Sequence, residues 1–540
     1  MSQESNVIFG TSLRRDVPVK QFSRHEEDPL LLNGTDGAGK AFPIPLMEEM
    51  LRRHLLLLGC SGTGKTNTVM LIAQKLLTRF TKKDVMVFFD LNGVYRSAFY
   101  EKGDVVLSDG EDATGDDGDD YWNLFNEVEY GARLPESVER LAKAVFGDRR
   151  GPAESAADLF SACLLCYIRG HLPPERTNAG FADFIRELTP EALQTMLAEH
   201  EDLRSLGKAI AGPGEARALL TLQRTVRELL AGNFAETGTL SMREPMENRG
   251  GKKIFLTYVP GRSSEKRTAL LLRLALIAQL SAKKDGSVYL FLDGLEALPV
   301  IPELSDALYF GGDNGLKIIA ALRSVTALTR IYGEDSALAL LDGFDTRFLY
   351  RTTDAATRNW AKSLFGGNLK LERYTVPGPK AGMAERQREG SVIEDWDLSG
   401  LRSGQAILGF PRVEPFLYRF ERFVPITFAP QPQAAPAPGP VPQPHAEPQR
   451  PVAPTPQPQP VPQPQTPPAR PLAGFVPPAP TQQPNGGLAG NRYPAPTTPA
   501  PGMGGAQPRD WSEQPYYPAP GQQPQPDRPE GYGGPGRYQP

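Results

Sequence analysis

The chain has 540 residues, a formal net charge of −4, 54 prolines and 53 glycines. So much proline and glycine excludes a chain that is globular along its whole length. The slightly acidic balance argues against a protein whose entire surface grips nucleic acid, although a local basic channel is compatible with it.

The N-terminal segment, residues 1–43, begins Met-Ser-Gln-Glu-Ser and lacks the basic and apolar regions of a signal peptide. The most apolar later run, Thr268–Leu280, is interrupted by Arg273, so we expect no membrane span. These patterns predict a soluble, cytoplasmic protein.

A phosphate-loop motif follows the apolar run Leu55–Leu58: Gly59–Thr66 reads G-x-x-x-x-G-K-T and precedes a helical pattern over Asn67–Phe80. A strand, this loop and a helix in series are the context that makes the motif specific. The glycines let backbone N–H groups face phosphate oxygens, while Lys65 reaches the β- and γ-phosphates and Thr66 offers a hydroxyl to Mg²⁺. The predicted nucleotide-binding residues are Gly59, Ser61, Gly62, Thr63, Gly64, Lys65, Thr66 and Asn67.

The next apolar run, Val85–Asp90, is typical of a buried parallel strand with an acid at its carboxyl end. The acidic segment Asp109–Asp120 lacks the alternation of a calcium loop and is expected to be solvated.

A block of helical patterns then extends from about Pro135 to Ala231, and it predicts an inserted all-α domain. Within it, Cys163 and Cys166 form a CxxC without a second ligand pair, so buried packing is expected rather than a zinc or redox site. The predicted helices are Ser137–Phe146, Glu154–Gly170, Ala179–Leu188, Pro190–His200 and Glu215–Leu230.

Strand patterns return after this block, separated by a long helix over Ser264–Lys283. The run Val288–Asp293 ends in an acid downstream of a phosphate loop, as a Walker B strand does, so Asp293 is a predicted catalytic-site residue. Thr66 and Asp293 are the predicted Mg²⁺ ligands, partly through water. Alternating strands and helices predict an α/β fold with a mostly parallel sheet. The predicted strands are Lys253–Val259, Val288–Asp293, Leu316–Leu322 and Arg347–Thr352.

The tail, residues 429–540, repeats Pro-Gln and Pro-Ala units, and we predict that it is disordered with polyproline II character. It either docks a Pro-recognising or aromatic-binding partner or serves as a spacer. Its C-terminal part contains the aromatic residues Trp511, Tyr516, Tyr517, Tyr532 and Tyr538.

Taken in order, several motifs resemble the coupling proteins of type IV secretion and conjugation, of the TraD/TrwB kind, which are similar to the FtsK/HerA motors. The resemblance covers about Ile44–Phe420. The stretches that carry it are Gly59–Thr66, Asp90-Leu-Asn-Gly93, Trp122-Asn-Leu-Phe-Asn-Glu127, Phe291–Pro299 and Ile301–Gly333.

This resemblance implies a RecA-like P-loop NTPase domain in two parts, residues 44–127 and 237–428, with the all-α domain inserted at 128–236. It implies ATP and Mg²⁺ as ligands and an oligomeric ring, homo- or hetero-oligomeric, at the cytoplasmic mouth of a secretion channel. The implied substrate is single-stranded DNA or a relaxase nucleoprotein. Members carry N-terminal transmembrane helices that this sequence does not show, so we expect a membrane-anchored partner to hold it peripherally at the inner face of the membrane.

Three positions depart from the family pattern. The glutamate that follows the Walker B aspartate is Gly294 here, and Glu296, two positions later, replaces it only if the turn is extended and points Glu296 the same way. The family's arginine finger position reads Gly311-Gly312, and its sensor glutamine is Arg323. Loss of base, finger and sensor predicts a site equipped to bind ATP and poorly equipped to hydrolyse it. Alternatively, Arg323, Arg347 or Arg351 supplies the missing charge.

Three functions therefore remain open. The first is a coupling-type protein that recruits or passes its substrate to the channel, with ATP hydrolysis in doubt. The second is a HerA/FtsK-like hexameric DNA-translocating ATPase. The third is a catalytically inactive, ATP-binding adaptor that uses the tail to capture partners.

Overall fold

The computed structural model describes residues 4–22, 29–108, 121–147, 152–204, 215–282, 285–376 and 382–425. The predictions for the acidic segment Asp109–Asp120 and for the tail, residues 429–540, lie outside these residues.

The strands of the described chain are numbered in sequence order. They are β1 Glu4–Phe9, β2 Leu30–Leu32, β3 Gly34–Asp36, β4 Ile44–Leu46, β5 Leu55–Leu58, β6 Val85–Leu91, β7 Val105–Ser108, β8 Lys252–Tyr258, β9 Val288–Asp293, β10 Leu316–Leu322, β11 Thr346–Tyr350, β12 Gly367–Val376, β13 Gly382–Ser391, β14 Gln405–Gly409 and β15 Phe416–Phe420.

Each helix that the sequence predicted is present to within a few residues at each end, and the structure adds further helices that were not predicted. The α-helices are Val19–Phe22, Glu48–Arg52, Lys65–Leu77, Val94–Phe99, Leu134–Phe146, Pro152–Gly170, Asn178–Glu187, Pro190–Glu199, Glu215–Leu229, Arg243–Asn248, Glu265–Ser281, Glu303–Phe310, Val325–Tyr332, Glu334–Asp342, Ala355–Phe365 and Asp395–Ser399. Short 3-10 turns include Leu124–Asn126, Leu295–Ala297 and Gly311–Asn314.

A ten-stranded sheet organises the fold, in the order β3-β15-β14-β11-β5-β10-β9-β6-β8-β7. From β11 to β7 every neighbouring pair is parallel, whereas β14, β15 and β3 extend the other edge antiparallel. The predicted mostly parallel sheet is confirmed, and the antiparallel edge is an addition to it. Strand β5 lies between β11 and β10 and its four leucines are fully buried, as expected of a strand covered on both faces. The carboxyl ends of β5, β9 and β10 share one edge, where the phosphate loop and Asp293 lie.

The helical block lies between β7 and β8, and its apolar side chains join the same hydrophobic cluster as one face of the sheet. Two buried polar side chains form hydrogen bonds between the segment that enters the helical block and the segment that leaves it. Asn178 donates to the carbonyls of Trp122, Phe234 and Glu236 and accepts from Leu124 N–H. Such a fully bonded amide fixes the geometry where the helical block joins the sheet.

Glu127 is the second tie. One of its carboxylate oxygens accepts from the Trp122 indole at 2.8 Å and from Met242 N–H at 2.6 Å, and the other accepts from Arg243 N–H at 3.1 Å. Burial raises the pKa of Glu127 to about 7, and its three hydrogen bonds oppose that rise.

A separate three-stranded antiparallel sheet, β1-β12-β13, was not predicted. Strand β13 has almost no apolar residues, so it gives no strand signal in the sequence. Its alignment on β12 is supported by Glu372, which accepts from Arg386 and from Arg388 at 3.0 Å each.

Cys163 and Cys166 are buried free thiols in the helix Pro152–Gly170. Burial raises the pKa of Cys166 to about 11, and that of Cys163 further. Both thiols are buried, as the expected packing requires. Among the described residues no group of three or more His, Cys, Asp or Glu side chains could hold a metal ion. Within the same residues, no helix combines the length and apolar character needed to cross a membrane.

Candidate nucleotide-binding site

The phosphate loop takes the backbone shape that its glycines allow. Gly62 and Gly64 have φ of 74° and 106°, a left-handed region where other residues are strained. Gly64 also lies so close to Gly404 that a Cβ atom would be 3.1 Å from its Cα. The loop is braced from that side, because Gly404 N–H donates to Thr63 O at 2.8 Å. The helix Lys65–Leu77 begins directly after Gly64, two residues earlier than predicted.

Lys65 is held inside the loop. Its Nζ donates to the carbonyls of Gly59 at 2.6 Å and Cys60 at 3.1 Å. Burial lowers the pKa of Lys65, and the nearby carboxylates of Asp293 and Glu296 act in the opposite direction. The Lys65 ammonium group therefore lies where it can bind a phosphate group that enters the cleft.

Asp293, at the end of β9, meets the phosphate-loop helix as predicted. Its Oδ2 accepts from Thr66 Oγ1 at 2.6 Å. The same oxygen accepts from the phenol of Tyr95 at 2.8 Å. Both hydroxyls donate to Oδ2, and Oδ1 takes part in neither of these two hydrogen bonds. A hydroxyl and a carboxylate side by side below a phosphate loop are oxygen ligands of the kind Mg²⁺ prefers.

Tyr95 was not predicted as a site residue. It is the second residue of the short helix that follows the turn Asp90-Leu-Asn-Gly93, and Asp90 fixes that helix by accepting from the N–H groups of Tyr95 and Arg96, each at 2.8 Å. The Tyr95 ring stacks on the Phe88 ring, with the two ring centroids 5.4 Å apart. Asp90 therefore positions the turn and does not reach the cleft itself. The motif around Asp90 was noted in the sequence, but no local pattern shows that the phenol reaches β9.

Glu296 lies in the 3-10 turn Leu295–Ala297, which begins after Gly294 in a left-handed conformation with φ of 92°. The turn is tightly wound, not extended, and it still places Glu296 in the cleft lining. Its Oε2 is buried without a hydrogen-bond partner, and burial raises the pKa of this carboxyl. Glu296 thus combines a place in the cleft lining with a buried carboxylate oxygen whose hydrogen-bonding capacity is unsatisfied.

The three arginines considered as sources of positive charge occupy different places relative to the cleft. Arg323 follows β10 and lines the cleft, with its Nε 3.8 Å from Glu296 Oε1 and its side chain 65% exposed. Arg347 begins β11, at the opposite end of the strand from the phosphate loop, so it cannot serve this cleft. Arg351 follows β11, and its carbonyl accepts from Cys60 N–H at 2.9 Å.

Gly312 could not carry an arginine finger without rearrangement. It lies in the 3-10 turn Gly311–Asn314, where a Cβ atom would collide with the carbonyl oxygen of Arg52. The glycine thus satisfies a packing requirement of this turn.

The cleft at this edge of the sheet has a volume of about 460 Å³. Of the predicted nucleotide-binding residues, Ser61, Gly62, Gly64, Lys65 and Thr66 line it. Asn67 turns to the C-terminal segment, where it donates to Glu421 O and accepts from Phe423 N–H, each at 2.8 Å. A cleft of this size, with a glycine-rich loop, a helix N-terminus and paired oxygen ligands, can accommodate a nucleotide phosphate chain with its cation.

Comparison with known proteins shows which family the chain belongs to. The family described as "Type IV secretion-system coupling protein DNA-binding domain" matches residues 40–394. The chain belongs to this coupling protein family. The coupling protein TraD of Escherichia coli (strain K12) is 21% identical over 382 residues, covering 68% of this chain and 51% of TraD. This coupling protein therefore spans about half the length of that curated relative.

Solved structures of the conjugative coupling protein TrwB share the fold. The unbound monoclinic form of TrwBΔN70 has a TM-score of 0.63 at 22% identity, covering 78% of this coupling protein and 96% of that chain. TrwB in complex with the ATP analogue ADPNP has a TM-score of 0.60 at 22% identity, with 79% and 96% covered. TrwB with ADP and Mg²⁺ has a TM-score of 0.54 at 23% identity, with 77% and 95% covered. These matches confirm the predicted α/β fold.

Proposed function

We propose that this coupling protein binds ATP with Mg²⁺ in the cleft and helps to pass DNA or nucleoprotein to a type IV secretion channel. The observation that carries the nucleotide assignment is the contact of Thr66 with Asp293, 2.6 Å apart below the phosphate loop. TrwB complexes with an ATP analogue and with ADP and Mg²⁺ support the same ligands here.

Four side chains at the cleft have assigned roles in this proposal. When bound, ATP and Mg²⁺ would supply a γ-phosphoryl group activated by the metal's charge. Lys65 is the cation that reaches the phosphates from its place beside Gly59 and Cys60. Thr66 would offer its hydroxyl to Mg²⁺, and Asp293 would hold the metal through water. Tyr95 fixes the orientation of the Asp293 carboxylate by donating to its Oδ2.

Glu296 is the proposed general base, in place of the residue after Asp293. Its unpartnered buried oxygen would orient a water molecule and take its proton. Burial raises its pKa, which makes the carboxylate a stronger proton acceptor than an exposed one. Lys65 and Arg323 both favour its ionised form.

We propose that hydrolysis by one chain is slow. Gly312 provides no finger, and an arginine finger is typically worth about 10³- to 10⁵-fold in rate. Arg323 lines the cleft with its guanidinium beside Glu296 and its side chain largely exposed. Faster turnover would then require a cation from a neighbouring chain in a ring.

The cellular role follows from the family and stays part of the proposal. The chain would assemble as a ring, bind single-stranded DNA or a relaxase nucleoprotein, and be held at the inner face of the membrane by an anchored partner. The domain limits proposed for this assembly are residues 44–127 and 237–428 for the nucleotide-binding part and 128–236 for the helical insertion. The tail would dock a Pro-recognising or aromatic-binding partner.

A DNA-translocating ATPase is the second candidate function, and one observation favours it. Glu296 lines the cleft and has an unpartnered carboxylate oxygen, although Gly294 follows Asp293. If that geometry supports rapid turnover on DNA, the chain is a motor. An adaptor without turnover has no such observation in its favour.

The proposal is tested by measuring binding of ATP with Mg²⁺ to the full chain by calorimetry. We expect Lys65→Ala to abolish binding and Lys75→Ala, ten residues along the same helix, to leave it intact. Single-stranded DNA binding is measured in parallel across a salt series, because phosphate contacts weaken as salt rises. Equal ATP binding in both lysine variants would refute the nucleotide site. Absence of salt-sensitive DNA binding would refute the substrate assignment alone.

A further inference from the structure

A second cleft, of about 470 Å³, lies at the amino end of β11, away from the phosphate loop. The N-terminal segment, the start of β11 and the turn between β14 and β15 enclose it. One wall is apolar and is formed by Leu364, Phe365, Phe410 and Val413. The other carries polar groups, among them Thr11, Arg347 and Arg412.

Arg347 has no hydrogen-bond acceptor among the residues that the structure describes. Its Nε is buried and unpartnered. Its guanidinium lies over the ring of Trp360, 5.9 Å from the centroid, which holds it in place without neutralising it. Burial lowers the pKa of Arg347, and Asp345 and Asp342 act on it only through their charge. An arginine nevertheless stays protonated, so a half-buried positive charge without an acceptor faces this cleft.

The carboxylates near the cleft are already engaged. Asp345 accepts from Arg53 at 3.0 Å. Glu414 accepts from Arg14 at 2.9 Å and from the Gln21 amide at 3.2 Å. Both acids are therefore bonded by side chains other than Arg347, so neither supplies Arg347 with a hydrogen-bond acceptor.

We propose that this cleft binds an oxyanion, a carboxylate or a phosphate, through Arg347, with the apolar wall receiving an uncharged body attached to it. A guanidinium held beside an aromatic ring keeps its N–H groups for a two-pronged bond to such a group. A cleft of this volume accommodates a small ligand. The proposal is independent of the nucleotide site, because Arg347 and the phosphate loop lie at opposite ends of β11.

The test uses calorimetry on the full chain carrying Lys65→Ala, so that the phosphate loop does not contribute. The probes are phenyl phosphate and benzoate, compared with inorganic phosphate and acetate at constant ionic strength. We expect saturable binding of at least one aromatic probe, with the corresponding small ion weaker. Arg347→Met should weaken that binding at least about tenfold, as loss of a charged hydrogen-bond donor does. Arg347→Lys should give an intermediate loss.

Arg351→Met is the matched control, since it removes the same charge from the other end of the same strand. It should leave probe binding unchanged. A stronger phosphate probe identifies a phosphoryl ligand, and a stronger benzoate identifies a carboxylate ligand. Absence of saturable binding by every probe, or equal binding in Arg347→Met and its parent, would overturn the proposal. Retained binding of ATP with Mg²⁺ by the single variant Arg347→Met establishes that it is folded.

Discussion

The phenol of Tyr95 gives a direct test of how the Mg²⁺ side of the nucleotide cleft is built. Tyr95→Phe removes only the hydroxyl that donates to Asp293 Oδ2 at 2.8 Å, and the ring can keep its stack on Phe88. Because the side chain is 1% exposed, water does not replace the lost donor easily.

The expected effect follows from the chemistry of that bond. A hydrogen bond to a charged group is worth about 1.5–3 kcal/mol, which corresponds to roughly 10- to 100-fold in affinity. Thr66 still donates to the same oxygen at 2.6 Å, so part of the orientation of Asp293 survives. We therefore expect the affinity for ATP with Mg²⁺ to fall by about tenfold.

The assay compares calorimetric affinities for ATP with Mg²⁺ and for ATP with a chelator. Since Tyr95 acts through Asp293, affinity should fall only when Mg²⁺ is present. Tyr332→Phe is the control, because its phenol accepts from Ile301 N–H at 3.2 Å outside the cleft lining and should change neither value. An equal loss with and without Mg²⁺, or no loss in either, would refute the positioning role.

Three further predictions concern the frame around the site. Burial raises the pKa of Glu127 from 4.5 to about 7, so its contribution to stability is full below pH 4.5 and is lost as pH rises through 7. It amounts to about 3 kcal/mol at about 1.36 kcal/mol per pKa unit, and Glu127→Gln should flatten the pH dependence of unfolding in urea by that amount; parallel slopes would contradict this. Asn178→Ala should cost about 3 kcal/mol in the same assay because it leaves buried backbone groups unpaired, whereas Asn126→Ala, at a partly exposed position, should cost far less, and equal costs would contradict this. Gly312→Ala should lower the thermal midpoint because its Cβ meets the Arg52 carbonyl, unlike Gly170→Ala, where nothing lies within 4 Å; similar midpoints would contradict this.

Long apolar runs made much of the fold predictable from the sequence. Strands β9 and β10 have the predicted bounds because each is mostly apolar, and the sheet order brings Asp293 to Thr66 as strand-end reasoning expects. Strand β13 was missed because its stability depends on charged pairs across strands, such as Glu372 with Arg388, which leave no periodic apolar pattern.

Site residues that depend on contacts distant in sequence were harder to predict. Tyr95 reaches Asp293 across 198 positions, and the local sequence contains nothing that reports this contact. Whether Glu296 enters the cleft depends on the left-handed turn at Gly294, which spacing alone does not determine. Arg347 and Arg351 are four positions apart, yet they lie at opposite ends of one strand, so only the strand's register separates their roles.

The central claim is that the cleft binds ATP with Mg²⁺ and uses Glu296 as its base. The most direct test measures ATP hydrolysis by the full chain, with and without single-stranded DNA, in the parent, Glu296→Gln and Lys65→Ala. We expect slow turnover in the parent and a loss of roughly 100-fold or more in Glu296→Gln, which should still bind ATP. Equal turnover in the parent and Glu296→Gln would contradict the assignment of the base. Parent turnover no higher than that of Lys65→Ala would contradict hydrolysis and leave ATP as a structural ligand.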